Sequence, residues 1–222
     1  MAKNNKNQAG DYVMALAKKR GNQARESYSY ALVLGALFVP SLLYSIITWF
    51  WVGIAISIGG LFYAGYCYQD GQRNTQGEKN AEQGAAAERE VEVLLKPLER
   101  INWQIKYGEP RQGGGDIDVL LHSPKGNWYV IDVKSHGGTK YVDNGVLKRR
   151  YGNNKIHDFK GGNPIRKVKA QAKEIGKSKR AWVTPILCFT QDGVEVPGKE
   201  AKGVYIVSKK DLISILERLD SQ

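Results

Sequence analysis

The apolar and polar positions of the chain divide it sharply. Ser27–Gln69 is a run of 43 residues without one charged side chain. That is too long for a single membrane span of about 20 residues and right for two. The spans are predicted near Tyr30–Thr48 and Phe50–Tyr68. Trp49, Phe50 and Trp51 fall between them, and Tyr28, Tyr30, Tyr66 and Tyr68 lie at the other end. Aromatic residues at both ends fit membrane–water interfaces. Pro40 is predicted to kink the first span. A signal peptide needs a shorter apolar region and a small-residue cleavage site; neither is evident. A soluble domain of this size has no means of covering such a run. Lys18–Arg25 precede it, and Arg73 and Lys79 follow it. The positive-inside rule therefore puts both termini in the cytoplasm. Cys67 at the membrane edge reads as a small apolar residue, or as a site of lipidation.

Residues 1–26 are polar and basic and read either as a segment with a short helix at Tyr12–Lys19 or as disordered; residues 70–80 are a polar, Gly-containing linker. Residues 81–222 form the soluble domain. Ala87, Val91, Leu94, Leu95 and Leu98 make an apolar stripe at helical spacing, predicting a helix over 81–98. Glu88 and Glu90 flank that stripe, and helix geometry does not choose between them. Trp103–Tyr107 is a first strand, and Gly113-Gly114-Gly115 a flexible entry to the next.

Ile117–His122 and Asn127–Val133 are two apolar runs separated by Ser-Pro-Lys-Gly, which predicts a β-hairpin. By strand alternation Asp132 and Lys134 share a face of the second run, and Asp116, Asp118 and Leu120 share a face of the first. Folding the hairpin brings Asp118 to Asp132 and Lys134. Two carboxylates can hold a hard divalent cation such as Mg²⁺. A lysine beside them can orient or deprotonate a water, or stabilise charge on a phosphate. The same residues also make an ordinary cross-strand ion pair worth about 0.2–1 kcal/mol. Spacing alone does not choose. Asp116 reads as a strand-start residue.

Downstream, Tyr141–Arg150 is a hairpin around Asn144-Gly145. Asn163-Pro164 opens a helix to about Lys177, with Ile165, Val168, Ala172 and Ile175 inward. Pro185–Thr190 and Val204–Val207 are strands, and Lys210–Leu219 is a closing amphipathic helix. The order α-β-β-β-α-β-β-α gives a mixed α/β or α+β class.

The net charge is +11, and residues 140–180 hold thirteen Lys and Arg against three acids. Lys140, Lys148, Arg149, Arg150, Lys155, Arg166, Lys167 and Lys169, interleaved with Tyr141, Tyr151 and Phe159, suit a nucleic-acid backbone or an anionic lipid surface. Cys67 and Cys188 are far apart and exclude a disulfide framework, and His122, His136 and His157 form no zinc pattern. Any metal site is therefore built from carboxylates.

Asp118, thirteen residues and then Asp132-Val-Lys134 resemble the PD-(D/E)xK nuclease signature. With Gly84-x-x-x-Glu88 upstream, Gly137 after the lysine and Asn163-Pro164 downstream, residues 80–215 resemble the nuclease-related domain family (NERD). The resemblance implies a restriction-endonuclease-like αβββαβ core. It selects Glu88 as the acid completing a Mg²⁺ or Mn²⁺ site with Asp118 and Asp132, and Lys134 as the water-orienting group. The family usually has glutamine three residues after the proline; here that position is Lys167, and Gln171 one turn later can take over the contact. The implied activity is membrane-anchored, metal-dependent hydrolysis of nucleic-acid phosphodiester bonds. The alternatives are a non-catalytic tether or sensor for nucleic acid or lipid, and a partner-binding subunit of a membrane complex.

Overall fold

Helix α1 spans Asp11–Ile47 and helix α2 spans Trp51–Glu99. The computed structural model describes residues 9–111, 115–152, 155–159, 161–191 and 193–221. Lys3, Lys6, Gly113 and Gly114 lie outside the described residues. The chain divides into two units, one of residues 12–82 and one that takes in residues 83–221 with residues 9–11.

The first unit is a helical hairpin. Its turn is tight: Trp49 adopts a left-handed φ of 53°, and the Phe50 amide donates to the Ser45 carbonyl at 2.9 Å. The charge-free run falls within the hairpin, and both helices are long and apolar enough to cross a membrane. Its apolar side chains face outward; Leu32 is 73% and Phe62 78% exposed. The two helices meet through Ser41 and Ser57 (3.0 Å) and through the Tyr28 and Tyr68 rings. Helix α1 runs through Pro40 without interruption.

Two sequence expectations fail here. The N-terminal segment is helical well beyond Lys19, and residues 70–80 are helix rather than linker. The cause is helix pairing continued past the apolar run. Ser27 donates to Asp70 (2.8 Å) and Arg20 to the Gly77 carbonyl (3.0 Å). Glycine inside a helix is unfavourable by roughly 1 kcal/mol relative to alanine. Gly71 and Gly77 are nevertheless points of close approach, because a Cβ at Gly71 would lie 2.8 Å from the Tyr28 ring and one at Gly77 3.0 Å from Arg20 Cδ. The residues that suggested a linker are packing sites.

The second unit is built on a six-stranded mixed sheet. Its strands are β1 (Gln104–Pro110), β2 (Asp116–His122), β3 (Trp128–Lys134), β7 (Val183–Phe189), β9 (Glu200–Ala201) and β10 (Val204–Ser208), in the order β1-β2-β3-β7-β10-β9. β1, β2 and β3 are antiparallel; β3, β7 and β10 are parallel. Parallel pairing of β3 with β7 requires a crossover, which contains helix α3 (Pro164–Lys179). The end of α2 and helix α4 (Leu212–Asp220) cover one face, where Val91, Leu95, Val119, Ile131, Ile186 and Leu216 pack. α3 covers the other, where Ile117, Leu120, Val130, Val168, Leu187 and Phe189 pack. The αβββαβ order is present. A second, four-stranded sheet adds β4 (Thr139–Asp143), β5 (Val146–Tyr151), β6 (Lys155–His157) and β8 (Val194–Glu195). Asn144 and Gly145, both at positive φ, turn β4 into β5 as the Asn-Gly pair predicts.

Candidate active site

The β2–β3 hairpin opens at one end. Its last cross-strand pair there is Val119 with Ile131, while β3 stays bonded to β7 as far as Lys134 opposite Phe189. Asp118 fills the gap: its Oδ2 accepts the Val133 amide proton at 2.6 Å. Side-chain alternation breaks at this point. Ile117 and Leu120 both pack on the α3 side, whereas Val119 packs toward α2 and α4.

Asp132 is completely buried. Lys134 Nζ lies 2.5 Å from its Oδ2, and Lys167 Nζ reaches its Oδ1 at 3.1 Å from the first turns of α3. The sequence groups Lys167 with the nucleic-acid contacts; the structure pairs it with the candidate catalytic aspartate. The structure also separates the two helix acids. Glu88 is buried, whereas Glu90 is exposed and pairs with Lys209 at 2.7 Å.

Concentrated negative charge away from water holds protons. Burial, with Asp118 and Asp116 adding to it, pushes Glu88 up to about 8 against a hydrogen bond from the Gly10 backbone. Burial and then Asp132 push Asp118 up to about 7, opposed by Lys134, the Val133 amide and Lys167. Lys134 is pulled down by burial, but Asp132 and Asp118 outweigh this and raise it, so it stays cationic.

Gln171 is fully buried one turn after Lys167. Its Nε2 donates to the Asp116 carbonyl at 3.4 Å, and its Oε1 has no hydrogen-bond partner. Among the described residues, no three His, Cys, Asp or Glu side chains converge closely enough to hold an ion. The donor chemistry nevertheless fits a hard cation: Glu88 and Asp118 are oxygen donors, Asp118 raising the proton affinity of Glu88, and the Gln171 oxygen is unsatisfied. The positive charge beside Asp132 is supplied by Lys134 and Lys167.

The remaining basic residues divide. Lys140 is a correction: it is buried, its Nζ donating to the Gln191 carbonyl at 2.9 Å and lying 5.0 Å from the Phe189 ring centre. It is a structural cation, out of reach of a phosphate backbone. Lys148 pairs with Asp143, Arg150 with Glu195, and Lys169 donates to the Lys202 carbonyl. Arg149 donates to the Tyr151 hydroxyl and lies over the Phe159 ring at 4.9 Å. Lys155 and Arg166 are exposed.

Sequence reading missed two neighbours of the site. His136, two residues after Lys134, is pushed down to about 4 by burial and then by Arg149, Lys134 and Lys140. Gly10, at φ 81°, sits against Ala85, where a Cβ would be 2.9 Å from the Ala85 carbonyl. The spacing of His136 from Lys134 carries no signal for the first. Only the glycine itself hints at the second.

Residues 83–190 match the nuclease-related domain, NERD. The matched span contains Glu88, Asp118, Asp132, Lys134, Lys167 and Gln171 and excludes the apolar hairpin. The chain is 28% identical over 156 residues to "Probable kinase PglW" of Streptomyces coelicolor, covering 60% of this chain and 10% of that protein. It is 30% identical over 73 residues to a "UPF0102 protein" of Polaromonas sp., covering 32% of this chain and 49% of that one. The chain thus spans from a tenth to about half the length of these relatives. No solved structure matches.

Proposed function

We propose that this chain is a membrane-anchored, divalent-metal-dependent nuclease. The observation that carries the reading is the meeting of Asp118, Asp132 and Lys134 at the open end of the β2–β3 hairpin, inside the segment that matches the nuclease-related domain. Glu88, Asp118 and Asp132 would hold Mg²⁺ or Mn²⁺. Such an ion polarises a phosphate oxygen and lowers the pKa of a bound water.

The chain's own residues do the rest. Lys134 is a fixed cation, held by Asp132 and charged throughout the neutral range. It orients the attacking water and stabilises the charge that builds on the phosphate, rather than taking a proton. Glu88, raised to about 8, keeps its proton near neutral pH, and Asp118, raised to about 7, is partly protonated there. The exposed Lys155 and Arg166 supply backbone contacts for a nucleic acid. The two apolar helices would insert in a bilayer, since exposed side chains such as Leu32 and Phe62 find no protein cover. Basic residues flank both outer ends, and the positive-inside rule favours the cytoplasmic side for them.

The test uses the full chain in detergent micelles with labelled single- and double-stranded DNA and RNA. Mg²⁺, Mn²⁺ or EDTA is added, and Asp132→Asn and Lys134→Met run in parallel. Metal-dependent cleavage that both substitutions abolish is the expected result. Salt-sensitive binding with no cleavage in any sample overturns the catalytic reading and leaves a nucleic-acid tether.

A further inference from the structure

Asp132 is held by two lysines that are not equivalent. Lys134 is enclosed, with 18% of its side chain exposed, and sits 2.5 Å from Oδ2. Lys167 sits 3.1 Å from Oδ1 with 53% of its side chain exposed. Resting on the metal reading above, we propose that Lys167 is a displaceable internal cation that competes with the divalent ion for Asp132.

Its position in α3 supports this. Pro164 occupies the first turn, and Asn163 caps the helix, its Oδ1 accepting the Ile165 amide at 3.1 Å. This start fixes the helix phase, and buried Ile165 and Val168 seat it on the sheet. Lys167 is thereby aimed at the open end of the hairpin from the first turns of the helix. A cation there opposes the helix dipole, and α3 carries no acid in its first turn to offset it. What holds Lys167 in place is Asp132.

The half-exposed ammonium has bulk water as an alternative, and its 3.1 Å contact makes it the more weakly held of the two lysines. It can therefore leave, whereas Lys134 lacks that option. While it is present, it neutralises the oxygen that an incoming ion needs and adds a like charge beside it. The acids of this site should bind a divalent ion less tightly than they would alone. Removing the charge at residue 167 should restore that affinity.

The measurement is Mn²⁺ titration of the full chain in detergent micelles, with free Mn²⁺ read by electron paramagnetic resonance. Lys167→Gln and Lys167→Met are expected to bind Mn²⁺ about tenfold more tightly than the natural chain, the scale of one nearby like charge at a partly exposed site. Lys167→Arg keeps the cation and should bind as weakly as the natural chain. Asp132→Asn should lose the site in every background. Equal affinities for the natural chain and both neutral variants, with Asp132→Asn still abolishing binding, would overturn the role of Lys167 and leave the metal reading standing. No Mn²⁺ bound by any variant would overturn both.

Discussion

The Asp118 carboxylate accepts the Val133 amide at 2.6 Å, standing in for a strand that has turned away. One side chain thus closes the sheet's hydrogen bonding and carries charge to the candidate site. The two roles separate by substitution. Asp118→Asn keeps an acceptor oxygen, so stability should stay within about 1 kcal/mol of the natural chain while cleavage falls by about a hundredfold or more. Asp118→Ala also strands a buried N–H, which costs about 1–3 kcal/mol. Hydrogen exchange at Val133 reads the difference: fast in the alanine variant and slow in the asparagine variant.

Lys134 and Asp132 form a pair in which the aspartate has no access to water. Removing the cation leaves buried negative charge with only Lys167 beside it. Lys134→Met should lower stability by about 3 kcal/mol. Adding Asp132→Asn to it should recover more than about 1 kcal/mol, because the two sites are coupled. Thermal melting of the four chains in the same detergent completes the cycle; strictly additive losses would mean that the pair is not a unit.

Glu88 makes the metal-free protein sensitive to alkali. Its carboxyl rises from 4.5 to about 8 on folding, and that of Asp118 from 3.8 to about 7. Between those values the folded chain binds protons that the unfolded chain has released. The stabilising protonation is complete below about pH 4 and is lost as pH rises toward 8. In EDTA, Glu88→Gln should therefore raise the melting temperature at pH 8, by the equivalent of about 1–3 kcal/mol, and leave it nearly unchanged at pH 4. An equal gain at both pH values would place the effect in packing rather than in charge.

Local patterning made much of this legible. The alternation in 117–133 gave the hairpin, the stripe from Ala87 to Leu98 gave the helix end, and Asn144-Gly145 gave a turn whose positive φ values those residues favour. The charge-free run gave two long apolar helices. Pairing between distant segments was not legible. Gly71 and Gly77 look like flexibility until Tyr28 and Arg20 are seen against them. Choosing Glu88 over Glu90 by geometry needs the sheet end that buries one and Lys209, which takes up the other. By composition Lys167 looks like one more surface cation; its place at the family's usual glutamine position hints at the site, but nothing local records that α3 crosses beside Asp132.

The basic stretch of 140–180 shows the same contrast, and it can be tested residue by residue. Lys140 points inward to the Gln191 carbonyl and the Phe189 ring, so its charge does not reach a bound polyanion. Lys155 and Arg166 are exposed. Each phosphate of duplex DNA that a cation no longer neutralises lowers the slope of log affinity against log salt by about 0.9. Lys155→Ala and Arg166→Ala should each weaken duplex binding and reduce that slope by about this amount. Lys140→Ala should leave the slope unchanged and lower the melting temperature, because it removes a buried side chain together with its hydrogen bond to Gln191 and its contact with the Phe189 ring. Fluorescence anisotropy across a salt series, paired with melting curves, distinguishes the two behaviours. A reduced slope in Lys140→Ala at unchanged stability would place that lysine on the binding surface after all.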